Sequence, residues 1–231
     1  MNRNEFIENV LELGIEVTDK KIAMLQEYYN LLVFWNKKIN LTSITEEADV
    51  YLKHFYDSLT LVKVIDLNGE ETFCDIGTGA GFPGIVIKIF FPHLKLTLVD
   101  ALNKRVNFLN FAVKQLGLKN VDIIHARAEE YALSHREEFD VVTARAVASM
   151  NILLEYSLPI VKVNKYFIAM KGFDYDDYNN ALKALHGKVI LKQEFLLPNE
   201  NSKRTIIKIQ KLNVTNKKFP RKFSEIKKKP L

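Results

Sequence analysis

The sequence predicts a three-layer α/β fold, in which helices cover both faces of a seven-stranded, mostly parallel sheet and a helical segment precedes it. Residues 4–67 carry apolar side chains at three- and four-residue steps, which indicates helices. From Phe73 onward, short apolar runs alternate with helical patterns, as in parallel sheets whose strands are joined by helices. The last two runs are joined by a polar turn at Pro198 and Asn199, which predicts an antiparallel last strand.

The first part of the chain is helical. Thr18 supplies an N-cap for a helix whose apolar stripe extends from Ile22 to Trp35. Residues 40–43 interrupt this pattern before a further helix begins. We divide the chain into a helical cap packed on the core, a main domain and a basic C-terminal tail, which are residues 1–67, 68–212 and 213–231.

The main domain alternates strands and helices. The first predicted strand ends at Asp75, and the others are residues 96–99, 121–124, 139–143, 166–170, 189–197 and 205–209. Helices are predicted after the glycine-rich turn as far as Pro92, through Arg105 to Gly117, and over residues 151–158 and 175–186.

Composition excludes several classes of protein. The chain has one cysteine, Cys74, which excludes a disulfide framework and agrees with a reducing compartment. It has no apolar run near the ~18 residues of a membrane span, and its N-terminus is too polar for a signal peptide. The five histidines lack metal-ligand spacing. We therefore expect a cytoplasmic protein, monomeric, with no metal and no membrane partner.

Positive charge is concentrated at the C-terminal end. Residues 203–231 contain eleven Lys and Arg against the single acid Glu225, a net charge of +10. Because the whole chain carries +5, residues 1–202 carry −5. Such a concentration suits a polyanion, most simply nucleic acid, and the alternative is a solubilising tail.

A glycine-rich turn follows the first strand and opens a helix. Glycines permit positive φ, and the N–H groups at the start of the helix are free for a ligand. A dinucleotide fingerprint would require a third glycine at position 82, which is Phe82. The pattern D-x-G-x-G-x-G from Asp75 to Gly81 instead resembles motif I of the class I S-adenosylmethionine-dependent methyltransferases. The alternative is an ordinary turn between a strand and a helix.

Further polar residues end the next strands, where open parallel sheets bind their ligands. Asp100 ends the second strand, where an acid accepts hydrogen bonds from a ribose diol, although it could also cap a helix. Ala128 and Glu129 follow the third strand and could edge an adenine, or simply begin a helix. With Asp75, these acids suit a cationic cofactor such as S-adenosylmethionine. His54 and Asp57, three residues apart, are interpreted as a core or surface pair without a catalytic role.

From Arg145 the resemblance becomes specific. The chain resembles the ribosomal small-subunit rRNA guanine-N7 methyltransferases, also named glucose-inhibited division protein B. The segments that carry the resemblance follow the family's order over nearly the whole chain: residues 40–42, 54–59, 75–84, 104–109, 127–129, 143–148, 170–172 and 219–221. Three positions differ from the family's usual residues, which are Asp100 in place of Glu, Phe219 in place of Tyr, and Ser224 in place of Gly.

The resemblance implies the seven-stranded Rossmann-like class I methyltransferase fold and methyl transfer to N7 of a guanosine in 16S rRNA, as naked rRNA or in the small ribosomal subunit. It implies cofactor contacts at Gly77, Phe82, Ala128, Glu129 and Arg145, with Gly79 in the same loop and Asp100 as the ribose acid.

The chemistry implied for this site needs no general base, because guanine N7 carries no proton. Arg145 would position the cofactor or guanine O6. Arg221 and Lys222 of the tail would bind RNA phosphates. Two alternatives remain at this point: a class I methyltransferase acting on another RNA base or a small molecule, and a non-catalytic RNA-binding or assembly factor.

Overall fold

A computed structural model describes residues 1–69, 71–145, 148–172 and 177–231. Its α-helices are α1 (Arg3–Glu12), α2 (Asp19–Ile39), α3 (Glu47–Val50), α4 (Asp57–Leu59), α5 (Gly84–Phe90), α6 (Asn103–Gln115), α7 (Ala128–Ser134), α8 (Met150–Ser157), α9 (Asn179–Leu185) and α10 (Phe223–Lys228). One π-helical turn (Tyr51–Tyr56) separates α3 from α4, and 3₁₀ turns occupy Thr60–Lys63 and Leu158–Ile160.

The strands form one sheet. They are β1 (Thr72–Ile76), β2 (Lys95–Asp100), β3 (Val121–His125), β4 (Phe139–Arg145), β5 (Val161–Lys171), β6 (Gly187–Leu196) and β7 (Lys203–Lys211). Their order is β3-β2-β1-β4-β5-β7-β6, and β7 is antiparallel to both of its neighbours. The predicted mostly parallel sheet with an antiparallel last strand is confirmed.

Two details differ from the prediction. β5 begins at Val161, five residues earlier than predicted, because its first half carries polar side chains that hide the strand pattern. The pairing of β5 with β4 is also irregular there, between Phe139 and Val141. The helix predicted over residues 175–186 begins at Asn179 in the structure, and residues 175 and 176 lie outside the described residues.

Each face of the sheet has its own core. Successive residues of a strand point to opposite faces, so Phe73 and Val141 belong to one core, whereas Cys74 and Val142 belong to the other. The first core is completed by α1, α2 and the helices after residue 47, together with α5 and α6. The second core lies under α7, α8 and α9. The N-terminal helices therefore form one wall of the sheet's own core, which brings residues near position 55 to the glycine-rich turn.

The basic tail is anchored to the same body. Phe219 and Ile226 are buried, and Arg136 donates hydrogen bonds to the carbonyls of Phe219 (2.6 Å) and Thr215 (2.5 Å). In the described ranges, no helix combines the length and apolarity that crossing a membrane requires. No cluster of three or more His, Cys, Asp or Glu side chains suited to a metal ion occurs in those ranges either.

Candidate active site

The glycine-rich turn connects the carboxyl end of β1 to α5. Gly77, Gly79 and Gly81 all have positive φ, at 67°, 64° and 96°. The amides of Gly77 and Thr78 both donate to the carbonyl of Val99 on β2, at 2.8 and 3.2 Å. The turn is therefore fixed at the adjoining ends of two parallel strands, as the sequence predicts.

Asp75 is buried beneath this turn and holds it by hydrogen bonds. Its side chain is buried, and Oδ2 accepts hydrogen bonds from the Thr78 hydroxyl (2.7 Å) and the Gly84 amide (2.9 Å). A Cβ at Gly84 would approach Asp75 Oδ2 to 2.9 Å, and one at Gly81 would approach the Tyr28 hydroxyl to 2.6 Å. Asp75 is thus enclosed by the loop, which corrects the expectation that it faces a cationic cofactor together with Asp100.

Asp75 makes stability depend on pH in a specific way. Burial raises the pKa of its carboxyl to about 7, whereas an unfolded Asp titrates near 4. Between these values the folded protein holds a proton that the unfolded chain has released, so this group's contribution to stability decreases as pH rises. Asp75→Asn keeps the oxygen that accepts from Thr78 and Gly84 and removes the titration. We expect the free energy of unfolding of this variant, relative to wild type, to rise by about 1.4 kcal/mol per pH unit between about pH 4.5 and 6.5.

Urea unfolding at a series of pH values measures this difference, with Asp140→Asn as the control. Burial alone would raise the pKa of Asp140, but hydrogen bonds from Thr72 and Lys162 outweigh it and lower that pKa to about 2. The contribution of Asp140 is therefore constant across the same window. A difference for Asp75→Asn that does not change with pH would show that its carboxyl is ionised throughout.

Asp100 joins the turn to the end of β2. Its Oδ2 accepts from the Gly79 amide at 2.9 Å, and its Oδ1 accepts from the Leu102 amide at 2.9 Å. Arg105 Nη1 lies 3.4 Å from Oδ2. The carboxylate is 3% exposed, so Asp100 shapes the loop at the same time as it faces the cavity beside it. Asp100 does not cap α6, whose N-cap is Leu102, and its contact with a ribose diol stays a prediction.

A cavity of about 140 Å³ opens at these strand ends, and the residues lining it come from the ends of β1, β2 and β3: Gly77, Val99, Asp100, Ala101, Ala126, Arg127, Ala128 and Glu129. Asp100 and Glu129 give it two buried carboxylates. Four of the predicted cofactor residues thus lie on one cavity.

The cavity fits an adenosyl group. A Cβ built on Gly79 would find only the Gly77 carbonyl, at 4.0 Å, so the space above that residue is open to a ligand. The carboxylates are acceptors for hydroxyl groups or attract a cation, and they would repel a phosphate. S-adenosylmethionine has a ribose diol and two cationic centres and carries no phosphate, so the residues present match it.

Phe82 and Arg145 lie on the other side of the turn. His54 stacks on Phe82, with ring centroids 4.5 Å apart and planes at 19°. The guanidinium carbon of Arg145 lies 5.2 Å from the centroid of the Phe82 ring. Neither residue is among those lining the adenosyl cavity. Arg145 instead lines a second cavity at the ends of β4 and β5, and Phe82 packs against two residues of its lining, His54 and Arg145. Contact of Phe82 and Arg145 with the cofactor stays a prediction.

Asp57 is the centre of this second group. It is 4% exposed and accepts from Arg145 Nη1 at 3.0 Å and from Arg204 Nε at 2.8 Å. Arg145 Nη2 is 3.4 Å from His54 Nδ1. Partners 88 and 147 residues away in the chain bring Asp57 to the strand ends, which the sequence did not predict. The interpretation of His54 and Asp57 as a core or surface pair without a catalytic role is not decided by these contacts. Their presence in a segment that resembles the family was the signal available in the sequence.

Comparison with known proteins shows the family of this chain. A family model described as GidB, rRNA small subunit methyltransferase G, matches residues 21–207. The ribosomal RNA small subunit methyltransferase G of Exiguobacterium sibiricum is 48% identical, with 100% of each chain covered. That of Macrococcus caseolyticus is 46% identical and covers 100% of this chain and 99% of its own. The chain belongs to the rRNA small subunit methyltransferase G family.

Solved structures support the fold of this family. The structure of a SAM-dependent methyltransferase from Aquifex aeolicus superposes with a TM-score of 0.53 at 17% identity, covering 72% of this chain and 94% of that one. At this identity the likeness concerns the fold alone. Together with membership of the rRNA small subunit methyltransferase G family, it confirms the predicted class I methyltransferase and S-adenosylmethionine as its cofactor.

Residues 146 and 147, part of the segment by which the sequence resembles this methyltransferase family, lie outside the described residues. Arg145 directly before them is described, and we expect Arg145→Ala to lower the rate of methyl transfer by about tenfold to a hundredfold, the effect of losing a charge-assisted hydrogen bond. Single-turnover transfer of a labelled methyl group measures this rate.

Arg136→Ala is the matched control for that variant. Arg136 is also a hydrogen-bonded arginine, but it precedes the start of β4, whereas Arg145 is the last residue of that strand. The two arginines therefore lie at opposite ends of the strand. We expect this control to lose stability while retaining the rate of the folded enzyme. If both variants lose stability and rate in the same proportion, Arg145 has a structural role only.

Arg221 and Lys222 in the tail of this methyltransferase have different surroundings. Glu155 on α8 is fully buried and accepts three hydrogen bonds from Arg221: from the backbone amide (2.9 Å), Nε (2.8 Å) and Nη2 (2.7 Å). The structure thus gives Arg221 a structural role that the sequence did not predict. Lys222 is exposed and lies with Arg127 and Phe223 on a groove that shares Glu129 with the adenosyl cavity. RNA binding by these two residues stays a prediction.

Proposed function

We propose that this chain transfers the methyl group of S-adenosylmethionine to N7 of a guanosine in 16S rRNA of the small ribosomal subunit. The observation that carries the proposal is the pair of cavities on either side of one glycine-rich turn, in a chain of the rRNA small subunit methyltransferase G family. Gly77 lines the first cavity, and Phe82 of the same turn packs against His54 in the wall of the second. A cofactor on one side and a base on the other would meet at this turn.

The site is suited to a reaction without a general base. Burial, and then the charge of Arg145, lower the pKa of His54 to about 3, so its imidazole is neutral at physiological pH. An imidazole with so low a pKa is a poor general base. Guanine N7 attacks with a lone pair and has no proton to lose, so the proposed reaction does not require one. When bound, S-adenosylmethionine supplies a methyl group on a sulfonium sulfur. The protein then acts by holding the base in line, an effect worth up to roughly 7–11 kcal/mol.

Each of the three segments of the chain has its own role in this proposal. Residues 1–67 supply the wall that carries His54 and Asp57, residues 68–212 hold the cofactor, and residues 213–231 approach the RNA with their positive charge. We propose that the protein acts as a cytoplasmic monomer, and that Lys222 and the lysines around it contact RNA phosphates.

Transfer of a labelled methyl group to purified ribosomal subunits tests the proposal. Small subunits from cells that lack this protein should accept about one methyl group each, whereas large subunits and small subunits from wild-type cells should accept almost none. Incorporation into large subunits, or equal incorporation into both kinds of small subunit, would contradict the proposed substrate.

A further inference from the structure

The second cavity, about 260 Å³ in volume, has the position of a substrate pocket. Its floor comes from the carboxyl ends of β4 and β5, and its roof from the helical turns around His54 and Asp57. Ile44, Met170 and Ile206 contribute apolar side chains to its lining, and Asp57, Arg145 and Arg204 contribute a carboxylate and two guanidinium groups. A cavity that combines apolar surface with a small number of polar groups is typical of a ligand site.

The two cavities lie side by side because they open at the ends of neighbouring strands. β1 and β4 are hydrogen-bonded neighbours, so the turn after β1 lies beside the end of β4. Arg145 contacts the Phe82 ring from the second cavity, and Phe82 belongs to the turn that lines the first. A ring in the second cavity would therefore lie next to a methyl donor held in the first.

The hydrogen-bonding groups of this pocket complement one nucleobase. Guanine places two donors, N1–H and N2–H, beside the acceptor O6 on its Watson–Crick edge, the edge by which proteins read unstacked RNA bases. Asp57 has one hydrogen bond on each oxygen, and each oxygen can accept another. The guanidinium of Arg145 lies beside that carboxylate, as O6 lies beside N1. Adenine would present a lone pair at N1 to the carboxylate and is therefore disfavoured.

We propose that Asp57 is the residue that specifies guanine, by accepting N1–H and N2–H of the target base while Arg145 or Arg204 donates to O6. Held by this edge, the base keeps N7 free for methylation, because N7 lies on the neighbouring Hoogsteen edge beside O6. The inference rests on the proposed function, since it names how that site selects its substrate. In this arrangement Asp57 binds the base at N1–H and N2–H and makes no contact with N7, the atom that is methylated.

Replacement of the target guanosine by inosine, which lacks the 2-amino group, tests the inference. Small subunits would be reconstituted around rRNA carrying either nucleoside at the mapped position. We expect wild-type kcat/KM to fall by about tenfold to a hundredfold with inosine, because a hydrogen bond to a charged acceptor is lost. Asp57→Asn should methylate guanosine more slowly, and its preference for guanosine over inosine should shrink towards one, as in a double-mutant cycle.

Asp140→Asn is the matched control, since Asp140 is also a buried aspartate with a cationic partner, Lys162, but lies at the start of β4. It should keep the wild-type preference, and titration with S-adenosylmethionine reports whether each variant is folded. Equal rates for guanosine and inosine in the wild type, or an unchanged preference in Asp57→Asn, would overturn the inference. If Asp57→Asn does not fold, equal rates in the wild type would still overturn the inference. Failure of the wild type to methylate guanosine-containing subunits would instead refute the proposed function.

Discussion

Gly79→Val should abolish the binding of S-adenosylmethionine while the protein remains folded. Gly79 has a φ of 64° and donates its amide to Asp100, at 2.9 Å. Its Cβ would meet no protein atom closer than 4.0 Å, so the new side chain would occupy the open space above the loop, where we propose that the cofactor binds. A β-branched residue also disfavours this φ, at a cost of about 1–3 kcal/mol. Calorimetric titration with S-adenosylmethionine measures the affinity, which we expect to fall at least about a hundredfold.

Gly117→Val is the control for backbone strain in that experiment. Gly117 ends α6 with a φ of 63°, and a Cβ added to it would have no atom within 4 Å, so the strain is matched. It lies between α6 and the start of β3, whereas Gly79 lies in the turn whose Gly77 lines the adenosyl cavity. We expect both variants to lose similar stability and only Gly79→Val to lose the cofactor. Normal affinity in Gly79→Val would place the cofactor elsewhere, and equal loss in both variants would attribute the effect to strain.

Arg221→Ala should destabilise the protein by about 3–5 kcal/mol, the usual consequence of removing one partner from a buried ion pair. The side chain donates Nε and Nη2 to Glu155, which has no exposed surface. Without it, the carboxylate of Glu155 remains buried and keeps, among the described residues, the backbone amide of residue 221 as its one donor. Thermal unfolding measures this effect, and a decrease in Tm of roughly 10 °C is expected for a chain of this length.

Lys222→Ala provides the comparison, because the two residues are adjacent and Lys222 is exposed. We expect it to leave Tm within about 1 °C and to weaken RNA binding, with the slope of log K against log salt reduced by about one. If Arg221→Ala changes only RNA affinity and leaves Tm unaltered, Arg221 is a phosphate contact after all. If Lys222→Ala leaves the salt dependence unchanged, this position does not contact the phosphate backbone.

The sequence predicted correctly which residues meet at the ends of β1, β2 and β3, because the features involved are local. The acid of Asp75, the alternate glycines and Asp100 all lie within or directly after short apolar strands. In a parallel sheet, all strand ends of one kind meet at one edge. Gly77, Asp100, Ala128 and Glu129 could therefore be placed together without knowledge of any side-chain contact, and they line one cavity in the structure.

Of the second cavity, the sequence predicted Arg145 at its strand end but not Asp57 or Arg204, because their positions depend on contacts between distant parts of the chain. Asp57 reaches Arg145 and Arg204 only because the N-terminal helices share a core with one face of the sheet. Nothing in the helical pattern around residue 55 shows which face of that helix meets the sheet. Likewise, the basic composition of the tail did not distinguish Arg221, which is paired with a buried acid, from Lys222, which is exposed.

Chemical cleavage of rRNA at N7-methylguanosine tests the central claim most directly. Small-subunit rRNA from cells with and without this protein would be cleaved and the positions compared. We predict one cleavage site that requires the protein, that is restored by the wild-type gene, and that is not restored by Gly79→Val. Identical cleavage patterns in the two strains, or a protein-dependent methyl group on an atom other than guanine N7, would contradict it.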